Sequence, residues 1–467
     1  MTPLARLATT LLALAMAGGV QAQDTALDAQ ARAHMAAGQS TAALQLMRQH
    51  VAAHPDDRAA RLDLVRYLTW NGDYAHAEAM LRADPEAIAS AEGQSLHAAL
   101  MAWAGRLEAA QTENAPALQA NANDFFANYT QALALRQTHR PDQAAPYVAA
   151  VQRLQPGSKD GRDLERGTWV RTASFVAFDL GRSSDSTDLV GWRPSLVGDF
   201  AVRDGLRLTA ELDRWAYRAP VSSPYSVITG QSQVWENRAW LGLRYAPTGR
   251  TEFKAALGHS SIPGDGTSLW RVGVDHRASD DWRFDVDLDR DRVDVSARAV
   301  SLGLTRVGGL VQAHWTPNLL WTGDLLLRRD QYSDNNHRGE IQVALRRAVL
   351  RRPGFMLDLG AAAQHFAFDR DPGHGYYSPD NYRRYSITGS AYVAMGGNAG
   401  LMLQGGLGRQ RDENFTAWRN ANDLSAELVV GIFSPWELRV RAGYSQRVQN
   451  AGAYEGRSWG LRLTRRF

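Results

Sequence analysis

Trp282-Arg283-Phe284-Asp285-Val286-Asp287-Leu288-Asp289 alternates apolar and charged residues without a break. Successive side chains of a strand point to opposite faces, so one face here is wholly apolar and the other is charged. The pattern returns in Trp436-Glu437-Leu438-Arg439-Val440-Arg441-Ala442, continued by Tyr444. It returns again in Trp459, Leu461, Leu463 and Phe467, set against Ser458, Gly460, Arg462, Thr464 and Arg466. Repeated segments of about ten residues, apolar on one face and charged on the other, are the signature of an outer-membrane barrel. Arg465 breaks the alternation, but a long basic side chain near a strand end can reach the headgroup level.

Turn signals make the expectation countable. Short ones occur at Arg203-Asp204-Gly205, Pro247-Thr248-Gly249, Ser279-Asp280-Asp281, Thr316-Pro317-Asn318, Arg352-Pro353-Gly354, Gly396-Gly397-Asn398 and Ser434-Pro435. Longer polar connections lie near 181–189, 217–231, 260–267, 290–296, 332–337, 369–381, 411–421 and 448–456. Seven turns alternating with eight loops join about sixteen antiparallel strands over 168–467, starting with a strand from Trp169 to Leu180. An even number places both barrel ends on the periplasmic side of the short turns. Gly308-Gly309 reads as a bulge in a long strand.

The start of the chain has another character. Arg6, the apolar run Leu7–Ala17 and Val20-Gln21-Ala22 form a secretory leader over 1–22. Residues 24–156 are rich in Ala and hold only Trp70 and Trp103 of the 14 Trp. Gly38, Gly72, Gly105 and Arg140 follow one another at intervals of 34, 33 and 35 residues, each with an alanine five residues later (Ala43, Ala77, Ala110, Ala145). A period near 34 predicts tetratricopeptide helix pairs, whose glycine allows the turn and whose small residue allows close packing. Residues 157–167, rich in Gly and charge, read as a linker. The fold class is thus α+β: a short helical module followed by a barrel.

Composition narrows the function. The chain has no Cys, which removes disulfides and thiolate chemistry. A formal charge of +3 is too near neutral to argue for nucleic acid. No cofactor or metal signal is visible, and neither a Gly-x-Ser-x-Gly elbow nor a His-Glu-x-x-His site occurs. His259-Ser260-Ser261, and Asp371 with His374, are the local catalytic candidates, and the expectation is that the protein is not an enzyme.

The inward face carries Glu211, Asp213, Asp285, Asp287, Asp289, Asp324, Arg439 and Arg441 as candidate ligand-binding residues. On the lipid face an Arg or Lys costs roughly 2–4 kcal/mol at mid-bilayer, so these charges belong in a wet channel or a salt-bridged interior. Three carboxylates two residues apart, Asp285, Asp287 and Asp289, repel one another unless cations compensate them. In the loops, Tyr332, Asp334, Asn335, Tyr376, Tyr377, Ser378, Pro379 and Tyr382 are either turn-forming anchors or sugar-stacking groups.

Tyr332-Ser333-Asp334-Asn335 and Gly373-His374-Gly375-Tyr376-Tyr377-Ser378-Pro379 resemble segments of the outer-membrane exopolysaccharide-export proteins. That family comprises the barrel of cellulose-synthase operon protein C and the poly-N-acetylglucosamine export porin. The likeness extends loosely over the last 200 residues or so, and the architecture matches over the whole chain. It implies a Gram-negative outer-membrane pore for one glycan chain, surrounded by outer-membrane lipid. It also implies a periplasmic helical module that docks synthase or modifying proteins. The helical part is much shorter than is usual in that family. Tetratricopeptide-plus-barrel chains also include surface-protein translocators and phage-receptor-like barrels, which remain the alternative.

Overall fold

The computed structural model describes residues 27–467 except 36, 38, 397, 449 and 450; the expected leader at 1–22 and Gly38 lie outside them. Helices stack in pairs from residue 27 onward: 27–35 with Ser40–Ala53, Arg58–Trp70 with Tyr74–Arg82, Ala91–Trp103 with Leu107–Ala120, and Phe125–Leu135 with Ala145–Leu154. The short helix Pro85–Ala89 bridges the second and third pairs. Gly72 and Gly105 take φ +76° and +79° between paired helices. There the backbone closes six-residue helix ends, with Asp73 N donating to Leu68 O at 3.0 Å and Arg106 N to Met101 O at 2.9 Å. Ala43, Ala77 and Ala110 are fully buried between helices, as the spacing predicts. Ala145 is exposed instead, because a 3-10 turn at Pro141–Ala144 advances the phase by one and buries Ala144.

The expected linker is a correction. Lys159–Thr172 is a helix, started by Ser158, whose hydroxyl accepts from Gly161 N at 3.2 Å. Leu164 packs into the core of the helical stack, so this helix closes the repeat array. Gly and charge hid an amphipathic helix here, because only its narrow inner stripe is buried. The first strand therefore begins at Phe175 and not at Thr168 or Trp169.

The strands are β1 (Phe175–Asp185), β2 (Val190–Arg203), β3 (Leu206–Arg218), β4 (Gln233–Thr248), β5 (Thr251–Ile262) and β6 (Asp265–Arg277). They continue as β7 (Trp282–Arg292), β8 (Thr305–Trp315), β9 (Trp321–Tyr332), β10 (His337–Arg352), β11 (Phe355–Phe368) and β12 (Tyr382–Gly396). The last are β13 (Ala399–Arg411), β14 (Arg419–Asn420), β15 (Asp423–Val430), β16 (Trp436–Ser445) and β17 (Gly456–Arg466). Both β14 and β15 pair with β13, as two segments of one interrupted stave, so the described residues form sixteen staves. All pairings are antiparallel, and β1 closes the barrel by pairing with both β2 and β17. Both barrel ends meet at one rim, where Phe467 N donates to Ser174 O at 2.9 Å.

Several local expectations change: the connection near 181–189 shortens to 186–189, and the one near 290–296 lengthens to 293–304 and holds a helix, Ala297–Ser301. The connection near 260–267 shrinks to the two-residue turn Pro263-Gly264, with Gly264 at φ +82°. Gly308-Gly309 forms no bulge; the register of β8 runs unbroken against β7 and β9. A Cβ on Gly308 would lie 2.2 Å from an Asp330 carboxylate oxygen, so this glycine makes room for lumen ion pairs.

The outer wall is apolar: Leu257, Leu407 and Ile387 are 73%, 72% and 70% exposed, which only a lipid environment makes tolerable. Trp282, Trp315, Trp321 and Trp436 girdle the helix-bearing end; Trp192, Trp459, Tyr385 and Tyr444 stand nearer the loops.

Candidate functional site

The barrel interior is a lattice of ion pairs. Arg193 reaches Glu211 at 3.0 Å and Asp213 at 2.9 Å. Arg283 binds Asp285 at 3.4 Å, His314 Nε2 lies 3.3 Å from the same carboxylate, and Arg306 holds Asp289 at 2.7 Å. Asp324 lies between His314 and Arg346, at 2.7 and 2.6 Å. Arg439 spans Glu427 at 3.0 Å and Glu437 at 2.6 Å, and Arg441 shares Glu427 at 2.5 Å. Of the eight lumen residues named from sequence, seven thus carry an ion pair. Asp287 is the exception among the described residues; its carboxylate has the Lys254 charge in its surroundings but no hydrogen bond or ion pair. The Asp285–Asp289 ladder is compensated from within at its two ends and open in its middle.

Sequence reasoning missed the most deeply buried charges. Glu236, fully buried, accepts from Arg238 Nη2 at 3.0 Å and from Ser260 Oγ at 2.6 Å. Arg292, 1% exposed, donates to Ser260 Oγ at 2.7 Å and to Asp265 at 2.8 Å, while Arg238 also reaches Asp291 at 3.2 Å and Asp294 at 3.0 Å. The signal was present as alternation: Glu236 and Arg238 share a face with Trp240, opposite Leu241 and Leu243. The same alternation separates His259 from Ser260, one on the outer wall and one in this cluster, so the two do not meet as an acid–base pair.

At the loop end, connecting segments fold inward. The helix Ala297–Ser301 buries Ala297, Ala299 and Val300 over β3 and β4. Against it pack Tyr332, Phe366, Phe368, Tyr376 and Tyr382. Tyr376 stacks on Tyr332 at 4.9 Å; its hydroxyl donates to Asp334 at 2.9 Å and accepts from Asn336 Nδ2 at 2.8 Å. His374 Nδ1 lies 2.8 Å from Asp334, Ser378 Oγ donates to Asp371 at 2.9 Å, and Pro379 O accepts from Phe368 N at 2.9 Å. Asn335 turns the chain at φ +61°. Tyr382 OH donates to Gln410 at 2.9 Å. Tyr377 and Tyr454 both donate to Asp412, the latter at 2.7 Å. The motif residues thus meet in one aromatic cover, held also by Asn336 beside them and by Gln410, Asp412 and Tyr454, which lie outside the motifs that sequence singled out. Burial, and after it the Asp412 carboxylate, push the Tyr377 hydroxyl well above its ordinary range.

The opposite end is seated on the helices. Asp280, in the turn between β6 and β7, accepts from Glu108 N at 3.0 Å and Ala109 N at 2.9 Å. It therefore caps a helix of the other domain, whose own N-cap residue, Arg106, makes no side-chain cap. Arg106 binds Asp281 at 2.7 Å, Arg277 donates to Gly105 O at 3.1 Å, and His139 N donates to Gly249 O at 3.0 Å. Arg207 in the lumen caps the helix Lys159–Thr172 through Thr172 O at 2.9 Å and Ala173 O at 2.8 Å. Between this seat and the lumen wall lies a cavity of about 770 Å³, bordered by His139, Arg207, Arg244, Lys254, Asp275 and Arg283. A second, of about 570 Å³, lies nearer the loops among Ser183, Trp215, Gln404, Ser425 and Ser458.

Residues 34–100 match the family model of the tetratricopeptide repeat. No curated protein matches the chain. Among solved structures it is similar to a bacterial polysaccharide outer membrane secretin, at 12% identity and TM-score 0.54, over 63% of this chain and 99% of that one. It is also similar to CdiB from Acinetobacter baumannii, at 8% identity and TM-score 0.41, over 62% and 60% of the two chains. For OccK5 (OpdH) of Pseudomonas aeruginosa the values are 10%, 0.35, 63% and 98%. At 12% identity the likeness to the secretin is one of fold. The chain joins a tetratricopeptide module to a sixteen-strand barrel of the outer-membrane type.

Proposed function

We propose that the protein is an outer-membrane channel for export of an extracellular polysaccharide, with its helical module in the periplasm as a dock for synthase or modifying proteins. The observation that carries this is the seat: repeat helices, a fold commonly used to bind proteins, sit directly on the turn rim over a polar cavity at the lumen mouth. The fold likeness to a polysaccharide secretin supports the same reading. Inside, hydroxyl-rich glycan would meet charged pairs and the open carboxylate of Asp287, and the loop-end tyrosines, buried against one another here, would offer stacking faces once the cover opens. The aromatic cover must move for a chain to leave, so the structure described corresponds to a closed state.

The chain lacks Cys, which allows a clean test. Asp287→Cys, alkylated with a bulky polymer maleimide, is expected to stop both ion conductance and polysaccharide release. Undiminished release from fully alkylated cells refutes the channel. Loss of surface-protein delivery with polysaccharide unaffected transfers the assignment to a protein translocator. Protease added to intact cells is expected to cut within 217–231 or 369–381 and to spare 24–156; external cleavage of the helices refutes the orientation.

A further inference from the structure

The outer wall is largely apolar, and one sector near the loops gathers several cations. Arg329 on β9, His365 on β11, Arg383 on β12, and Arg409 and Arg411 on β13 are exposed there and share the outward face with Tyr385, Ile387 and Leu407. Cross-strand register sets them side by side: His365 lies opposite Arg383, Arg383 opposite Arg411, and Tyr385 opposite Arg409. Like charges directly opposite on a sheet repel, with Cβ atoms about 4.5–5.5 Å apart. Nothing in the described chain offsets this. Arg329, Arg383, Arg409 and Arg411 form no ion pair among the described residues, and the one hydrogen bond is from Arg383 Nε to Asn381 Oδ1 at 3.0 Å. The carboxylate close by, Glu413, accepts instead from Asn381 N at 3.3 Å. Four outward arginines elsewhere, Arg182, Arg214, Arg347 and Arg465, each lie over a tryptophan ring instead.

Directly below this row the wall is hollowed. Ala361 and Ala363 stand between larger neighbours, and a groove of about 750 Å³ runs past Val343, Leu345, Ile387 and Leu407, with Tyr385 and Arg409 at its rim. A second groove of about 630 Å³ lies beside it, floored by Gly309, Gly339 and Ala367, with Arg329 and His365 at its rim. Apolar grooves facing hydrocarbon, rimmed by unpaired cations at headgroup height, have the shape of a lipid with acyl chains below and anionic groups above.

We propose that this sector binds a multiply acylated, phosphorylated glycolipid of the lipid A class, its phosphates on Arg383, Arg409 and Arg411 and its acyl chains in the two grooves. Two grooves and several cationic positions favour such a lipid over a phospholipid with one phosphate. On the orientation proposed above, the loop end meets the outer leaflet. Binding in detergent does not depend on that orientation, so either statement can fail alone.

The test uses the full chain, folded in detergent and checked by heat-modifiable mobility, with native mass spectrometry of bound lipid. Bis-phosphorylated lipid A, its phosphatase-treated form and phosphatidylglycerol serve as probes. The wild type is expected to retain lipid A and to lose the phosphatase-treated form. The R383Q/R409Q/R411Q variant should bind about a hundred-fold more weakly, because three cationic groups no longer face the phosphates. Ala361→Trp, which fills the groove and leaves the arginines in place, should also lose the lipid, while R347Q/R465Q should bind as the wild type does. Equal retention of the phosphatase-treated form, equal retention of phosphatidylglycerol, or an unaffected A361W protein overturns the proposal. None of these three needs an arginine variant, so they decide the matter even if the triple variant fails to fold.

Discussion

Replacing Asp412 by Ala removes the one carboxylate that ties three loop-end segments together. Its Oδ2 accepts from Tyr377 in the β11–β12 loop and from Tyr454 in the β16–β17 loop, while Oδ1 accepts from Asn414 N at 2.9 Å. Asp412 is 3% exposed, so in D412A water replaces these partners poorly. A hydrogen bond to a charged acceptor contributes about 1.5–3 kcal/mol. Both tyrosines lie near the rim, where opening lets water in, so the lower figure applies to each. Two such bonds give about 3 kcal/mol, or roughly a 150-fold shift of the cover toward its open form. Asp412→Asn keeps an acceptor without the charge and should shift it by about ten-fold or less. Single-channel recording in planar bilayers reads the open fraction directly, with heat-modifiable mobility as the folding control. A folded D412A barrel that opens no more often than its parent refutes the gating role of this carboxylate and the reasoning behind it.

Other outcomes follow from the same geometry. Asp280→Ala should cost about 1–2 kcal/mol at the seat, as cap removal does, and lower hydrogen-exchange protection of the Glu108 and Ala109 amides about ten-fold; unchanged protection rejects the inter-domain cap. Asp287→Asn breaks no ion pair, so the barrel should fold as before while cation preference falls in bilayer recordings; a folding defect would assign Asp287 a structural role. The Tyr377 and Tyr454 hydroxyls are both raised, first by burial, above an ordinary value of about 10. A raised folded-state value means that their contribution is complete below about pH 10 and is lost as pH rises further, because the released phenols ionise first. Conductance should therefore stay flat through neutral pH and climb above about pH 10; a rise on acidification instead contradicts this sign.

Alternation was enough to read the barrel, since a strand exposed to lipid on one side and to polar groups on the other must repeat every two residues. Trp282–Asp289 therefore announced both its faces, and the connections fell where turn residues clustered, although 181–189 and 260–267 are shorter than expected and 290–296 is longer. The helix pairs were equally local, because Gly72 and Gly105 supply a left-handed backbone that most residues resist. The linker was misread because the burial of Leu164 depends on the stack it closes, which its own neighbours do not reveal. Partnership was beyond reach for the same reason. Asp285 and Asp289 looked like uncompensated charges until β8 brought His314 and Arg306 beside them, across gaps that no sequence spacing encodes; Arg283 stands two residues from Asp285 on the same strand. The Asp412 clamp and the Asp280 cap join residues tens to hundreds of positions apart. Sequence determined which residues could face water, lipid or a turn, because those preferences belong to single residues and their near neighbours. Tertiary structure alone decided which charges neutralise one another and which, like Asp287 and the Arg383 row, are left open, because ion pairing requires side chains to meet within about 4 Å in space.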